Sequence, residues 1–464
     1  MLSCLLAFGL VRGTQSTKAF TTQLPLSTVR QNLLLDTTML PRLPKLISFS
    51  LVLLLLQACG ETNQTPQPDA GQPDAQTIHR QALTIDAHAD IEIPGQPSAY
   101  VGPDGLSQVA PNKMRTGGLD AVVLSIAVGP KPRTADGFAD ARKIAENELA
   151  AVQAMAADPA NNAMIATDPE SLLAANEQGQ LGFILGMQNA LILGTDLTYV
   201  DELFEAGVRV FALTHMGHND FADSSRPLFI AATGRREPDA EHGGLSDLGV
   251  AAIRRINALG GIVDISQLSR QAALQVMDLS TSPVIASHSN VQALTSVSRN
   301  LSDEEIDRMA ATGGVIHVAP FRGYLFDSAN AQLDRAIRDV RLAAGIDEDY
   351  LYPFELYWEI QDAEVKARFL TDVRGLLDDI DLDNMLDHVD YIAKRVGVDH
   401  VGIGTDFNHG SGIDGYADAS EALNVTKGLL ARGYSQEDVT KIWGGNFLRV
   451  WRQAAQQERT TALI

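Results

Sequence analysis

The sequence predicts a (β/α)8 barrel, and three observations carry that expectation. From Ile78 to about Gln456, strand-like and helix-like segments alternate, with eight strand candidates in all. Most of these are continuous apolar runs, as parallel strands covered on both faces require. Polar residues fall at the C-terminal ends of strands 1, 3, 4, 5, 6 and 8, where a barrel builds its active site. A doubly wound open sheet is the competing arrangement, but it would concentrate its site at one switch point between two strands.

The strand candidates are Leu83–Ala87, Ala121–Val128, Gly182–Met187, Val208–Leu213, Ile262–Ile265, Val284–Ala286, Gly314–Val318 and Val401–Gly404. Phe138–Ala157 is a long, Ala-rich helix candidate. Ser246 is placed to cap a helix that ends at Leu259, before Gly260-Gly261. Ser302 and Glu305 form a capping box that opens another helix, and Ser435 and Asp438 open the last. Phe321 to Asp383 reads as a helical insertion between strands 7 and 8 that carries Tyr350, Tyr352, Tyr357 and Trp358. Trp443 and Phe447 are expected to pack the last helix onto the barrel. The acidic run Asp378, Asp379, Asp381 and Asp383 lacks the spacing of a calcium loop and reads as a solvated face.

A chain of 464 residues, 45% hydrophobic, can fill one large barrel. The net charge of −22 repels phosphate backbones and argues against a nucleic-acid partner. The two cysteines, Cys4 and Cys59, both precede the barrel region, so neither a disulfide framework nor a thiolate metal site is expected. Arg42 and Lys45 flank Leu46–Leu56, an eleven-residue stretch that is apolar apart from Ser48 and Ser50. A membrane-spanning helix needs about 20 residues, so this stretch suits an export signal. It ends in Leu56-Gln57-Ala58-Cys59, which resembles a bacterial lipobox. That resemblance implies cleavage before Cys59 and lipidation of Cys59, hence an exported protein anchored to the cell envelope. Met39 opens a better signal than Met1. Residues 1–58 are therefore expected to be a signal region, 59–77 a disordered tether rich in Pro, Gln and Asp, and 78–464 the barrel.

The run Ile85-Asp86-Ala87-His88-Ala89-Asp90 carries the chemistry. Residues i and i+2 of a strand point to one side, so His88 and Asp90 can converge on one cation. Thr214-His215, Ser266-Gln267, Ser287-His288-Ser289 and Thr405-Asp406 end later strands in the same way. His218, His317 and His409 also lie near strand ends and are expected to line the pocket without binding metal. His79, His242, His388 and His400 read as surface or helix positions.

Further motifs follow in order: Met114-Arg-Thr-Gly-Gly118, Gly207 to His215, Gly244-Leu-Ser-Asp-Leu-Gly249, Pro283 to Ser289, Arg299-Asn300, Val401 to Phe407 and Gly444 to Arg449. Together the sequence resembles the membrane (renal) dipeptidase family of the metal-dependent amidohydrolase superfamily. The resemblance covers essentially all of residues 83–452. It implies hydrolysis of dipeptides by metal-bound hydroxide, with zinc as the cofactor and a homodimer as the assembly. By resemblance, His88 and Asp90 bind the first ion and His288 the second. His215 steadies the substrate carbonyl oxygen, Arg299 pairs with the substrate carboxylate, and Asp406 handles the proton and the substrate amine. Arg299 has an alternative partner in Asp303.

Two positions depart from the family. Gln188 stands where the family places a bridging Glu, and Gln267 stands where it places a second-metal His. An amide offers a cation one neutral oxygen and an NH2 group that repels it. One zinc is therefore expected firmly and the second site is expected to be weak or empty, with Gln188 and Gln267 as weaker candidate ligands. Asn408 is a smaller departure, at a position where the family often has Asp. Two alternatives remain at this point: an amidohydrolase acting on another small amide or lactone, and a non-catalytic binding protein that kept the pocket.

Overall fold

The computed structural model describes residues 74–461, except positions 97, 99, 103, 231, 232, 234 and 347–359. The signal region, Cys59 and most of the expected tether lie outside the described residues, as do Tyr350, Tyr352, Tyr357 and Trp358. The helix Ala75–Gln81, capped by the Asp74 carboxylate, takes in the last residues of the expected tether.

Eight strands form the barrel wall: β1 (Ile85–Asp90), β2 (Ala121–Ala127), β3 (Leu181–Gln188), β4 (Val208–Ala212), β5 (Ile262–Asp264), β6 (Ile285–Ala286), β7 (Val315–Val318) and β8 (Val401–Ile403). They pair in chain order, each parallel to the next. The segment after β8 bridges back to β1: Asp90 N donates to Phe407 O and Asp406 N donates to His88 O, each at 2.9 Å. All eight strand expectations therefore correspond to wall strands, with ends shifted by a few residues at most. Two features have no counterpart among those expectations. Ala163–Ile165 adds a short parallel strand beside β3, and Phe229–Ile230 pairs with Arg235–Arg236 in a small antiparallel hairpin.

Alternate residues of the strands point inward, as the period of 2 dictates. Ile85, Ala87, Ala121, Val123, Ile184 and Val210 fill the interior, and Phe447, Val450 and Trp451 of the C-terminal helix Asn446–Thr461 pack against them. Gly444, just before that helix, is needed because a Cβ there would lie 2.3 Å from the Leu83 carbonyl oxygen at the start of β1. The C-terminal helix thus covers the end of the barrel opposite the strand C-termini. Trp443 is buried in the core and donates its indole N–H to Thr426 Oγ1.

The helices cover the outside of the wall. Ala135–Ala157 starts ahead of the expected Phe138, with Thr134 as its cap. Ser246 caps Asp247–Leu259 as expected, and that helix stops at Gly260 in the left-handed region. Ser302 and Glu305 form the expected capping box, as do Ser435 and Asp438. Between β7 and β8 the insertion is helical: Arg322–Leu325, Ala331–Ala343 and Ala363–Leu376 precede Leu382–Val396. Asp381 from the acidic run is the N-cap of Leu382–Val396. His79 and His388 are helical, but both are core residues. His79 bonds Thr426 Oγ1 and the Gly117 carbonyl, and His388 Nδ1 accepts from Val291 N.

Candidate metal centre

The strand C-termini bring three potential ligands to one point. Ligand atoms of His88, His288 and Asp406 all lie within 4.8 Å of one another. His88 Nε2 is 3.5 Å from Asp90 Oδ1 and 3.9 Å from Asp406 Oδ1. The register of β1 against β2 shifts between Asp86 and Ala89, and the site lies at this irregular end of the strand. Asp406 has φ 57° and Gln267 φ 69°, the left-handed region that non-glycine residues seldom adopt. Backbone held this way at a cost tends to mark functional sites.

His88 Nε2 and Asp90 Oδ1 are buried and have no hydrogen-bond partner. Buried polar atoms are rarely left so, because each forfeits its bond to water. A cation between them satisfies both, and the donor set of imidazole nitrogen and carboxylate oxygen suits zinc and related ions. On this observation the residues fit a metal ion on the His88 side.

A second layer fixes these groups. Asp86 Oδ1 accepts from Thr405 N at 2.8 Å and from His88 N at 3.1 Å, and Oδ2 accepts from Thr405 Oγ1 at 2.6 Å. One buried carboxyl thereby joins the strand bearing His88 to the segment bearing Asp406. Burial raises this carboxyl to about 6, against the pull of its donors. Burial alone would also raise Asp90, but the neighbouring His409 and His88 outweigh it and hold that carboxyl below the usual range. For Asp406 burial prevails, and its carboxyl is raised.

His288 is held differently. The Ser287 hydroxyl donates to Asp264 Oδ2, which leaves Ser287 Oγ to accept from His288 Nδ1 at 2.7 Å. That fixes the tautomer and makes Nε2 an acceptor. Nε2 is met by the amide nitrogens of Gln267 at 3.2 Å and Gln188 at 3.4 Å. Gln267 Oε1 accepts from Arg226 Nη2, so its NH2 group must face His288. Burial, with the nearby Arg299 guanidinium, keeps His288 well below the ordinary histidine range and therefore neutral. The sequence-based expectation of Gln188 and Gln267 as weaker ligands thus meets a specific geometry: the two amide nitrogens are bonded to His288.

The remaining candidates line the same mouth. His215 is buried, its Nδ1 has no hydrogen-bond partner, and burial holds its ring well below the ordinary range. Arg299 is turned inward rather than toward Asp303: Nη1 donates to Ser289 Oγ at 2.9 Å and Nη2 to the His288 carbonyl at 2.6 Å. Asp303 is instead bonded by Tyr391 and Arg395. His218 bonds Ser224 N and the Pro238 carbonyl, and His317 bonds the Ala286 carbonyl, so both serve the scaffold. His409 is closer to the chemistry than its expected pocket-lining place. It bonds Asp90 and sits edge-on to His215 with ring centres 5.2 Å apart. Arg226 joins the centre without any motif in the sequence pointing to it. An apolar cavity of about 310 Å³, lined in part by Ile91, Ile93, Leu124 and Phe183, adjoins Asp90 and Asn408.

Comparison with known proteins agrees with this geometry. The family profile described as membrane dipeptidase, peptidase family M19, matches residues 72–464. The chain is 30% identical over 285 residues to dipeptidase aclJ of Aspergillus oryzae, a match covering 61% of this chain and 54% of that protein. Dipeptidase tcpJ of Claviceps purpurea is 28% identical over 279 residues, covering 59% of this chain and 51% of that protein. The chain thus spans about half the length of these curated relatives. Among solved structures, the probable dipeptidase PvdM from Pseudomonas aeruginosa superposes with a TM-score of 0.72 at 35% identity, over 82% of this chain and 98% of that one. A metallopeptidase from Rhodobacter sphaeroides, solved with a phosphinate mimic of the dipeptide L-Ala-D-Ala, shares the fold with a TM-score of 0.61 at 18% identity, over 80% of this chain and 99% of that one.

Proposed function

The chain belongs to the membrane dipeptidase family, peptidase family M19, and on that premise we propose that it hydrolyses dipeptides with one zinc ion. The observation that carries the proposal is the convergence of His88, Asp90 and Asp406, with two buried ligand atoms left without hydrogen bonds. His88, Asp90 and Asp406 would hold the ion. A zinc ion there supplies Lewis-acid polarisation of the scissile carbonyl and a more acidic water.

The chain's own groups do the rest. Asp406 accepts a proton at its carboxylate and returns it to the leaving amine. His215, neutral in its buried setting, offers an imidazole N–H to the developing oxyanion. Arg299, already braced by Ser289 and the His288 carbonyl, presents a fixed positive charge to the substrate carboxylate. Burial of these groups excludes water and strengthens each interaction.

Assay of a panel of L,L and L,D dipeptides with added zinc tests the reading. Turnover that disappears with chelator and returns with zinc is expected. Turnover of lactones or other amides, with no dipeptide cleaved, would favour the alternative amidohydrolase.

We propose further that the protein is exported, anchored by a lipid on Cys59, and active as a homodimer. No helix among the described residues is long and apolar enough to cross a membrane. Cys59→Ser is expected to move the protein from the membrane fraction to the soluble one. Light scattering of the soluble form reads the assembly.

A further inference from the structure

The two halves of the centre differ in character. The His88 side presents acceptors, namely Asp90, Asp406 and the free Nε2 of His88. The His288 side presents donors: the amide NH2 groups of Gln188 and Gln267 lie against His288 Nε2, and the Arg226 guanidinium stands behind Gln267. A cation approaching His288 Nε2 meets a lone pair already taken by two N–H donors and, beyond them, the Arg226 guanidinium.

The Arg226–Gln267 contact is built into the main chain on both sides. Ser225 N donates to the Gln267 carbonyl at 2.9 Å, and Ser224 Oγ donates to the same carbonyl at 3.3 Å. Ser224 also bridges to Leu268. Ser224 Oγ accepts from Arg226 N at 3.2 Å, and the Arg226 carbonyl accepts from Gly217 N at 2.9 Å. Gln267 sits at φ 69°, so its side chain leaves the loop after β5 in a direction set by strained backbone. Arg226 is buried. The main chain around Arg226 is pinned on both sides, and its guanidinium is held on Gln267.

We infer that Arg226 is a built-in cation of the His288 half of the centre: its guanidinium, fixed on Gln267, takes the place of a second metal ion and keeps one from binding. The inference rests on the proposed reading of this centre as that of a zinc dipeptidase, and it adds a cause. Loss of ligand groups alone would leave the half empty, whereas Arg226 places a guanidinium beside it. Arg226 is a positioning residue: it acts on Gln267 in the unaltered protein, and the main-chain bond from Ser225 N to the carbonyl of residue 267 keeps its charge beside the half when that side chain is changed.

Zinc equivalents bound per chain, counted by elemental analysis after dialysis, test this. The unaltered protein is expected to hold one. Gln188→Glu with Gln267→His restores a carboxylate and an imidazole to the half, and with Arg226 in place it is expected still to hold one. Adding Arg226→Met to that pair is expected to raise the count to two, whereas adding Arg226→Lys, which keeps the charge, leaves it at one. Should the triple variant with Met fail to fold, Arg226→Gln with Gln267→His makes the same comparison against Gln267→His alone: a second equivalent in the former only. Two equivalents in the pair that retains Arg226, or one in the variants that lack it, overturns the inference. Two equivalents in the unaltered protein overturns it while leaving dipeptide hydrolysis intact. No zinc in the unaltered protein defeats the metal reading itself.

Discussion

His409 and Asp90 are joined by a hydrogen bond of 2.8 Å between Nδ1 and Oδ2. That bond occupies one oxygen of the carboxylate and leaves the other, Oδ1, turned toward His88 Nε2. Groups that orient a metal-binding carboxylate in this way commonly set the affinity of the site. His409→Leu is expected to weaken zinc binding about 10- to 100-fold. His409→Asn, whose amide nitrogen can reach the same oxygen, should recover much of the loss. Competition with a chromophoric chelator measures both. Equal affinity in the Leu variant and the unaltered protein would remove His409 from this role.

Asp86 accepts three buried donors from two chain segments that otherwise meet only where the barrel closes. Asp86→Ala strands the His88 and Thr405 backbone N–H groups, each worth about 1–3 kcal/mol when left unsatisfied, while Thr405 Oγ1 can turn to the His88 carbonyl. Denaturant unfolding is expected to show a loss of several kcal/mol. Dipeptide turnover should fall further than stability alone explains, because the bonds position Asp406 relative to His88.

Gly404 precedes the Thr405-Asp406 pair, and a Cβ there would lie 1.8 Å from the Ser287 carbonyl oxygen. Gly404→Ala must therefore push β8 away from β6, separating Asp406 from His288. Overpacking of this kind costs about 1–3 kcal/mol or more. The expected outcome is a folded or partly folded protein with strongly reduced zinc binding, read by thermal melting with and without zinc.

His388 is a buried histidine held at about 3 by burial, with Nδ1 accepting from Val291 N. Its affinity for protons in the fold lies below that of the unfolded chain, so folding favours the neutral form. The stability it contributes is complete above about pH 6.5 and drains away as pH falls toward 3. His388→Asn keeps an acceptor for Val291 and does not titrate. Its melting temperature is expected to be lower at pH 8 and to fall less between pH 6.5 and 4 than that of the unaltered protein. Parallel curves would exclude His388 as a source of acid sensitivity.

The barrel was legible because parallel strands buried on both faces must be apolar runs, and because Ser246, Ser302 and Ser435 announce their helices by capping chemistry. Ala163–Ile165 was not, since three residues are too few to carry a period. The strand-end positions of His88, Asp90, His215, His288 and Asp406 could be read because a strand's alternation fixes where its last residues point. His409, read as lining the pocket, could not be tied to Asp90, and Arg226 could not be placed so. Both lie in loops, and their partners Asp90 and Gln267 are 319 and 41 residues away in the chain. His79 and His388 show a related limit. A histidine on a helix does not reveal which side of it is buried, and here Thr426 and Val291 supply the polar contacts that let both enter the core.

The proposed hydrolysis turns on a single ion between His88, Asp90 and Asp406. Dipeptide turnover should be measured while zinc is added back, in counted equivalents, to chelator-stripped protein. A linear rise that levels off at one equivalent is expected, with no rise at any zinc level in His88→Ala. A plateau reached only at two equivalents, or turnover that survives in stripped protein, would contradict a single-ion centre.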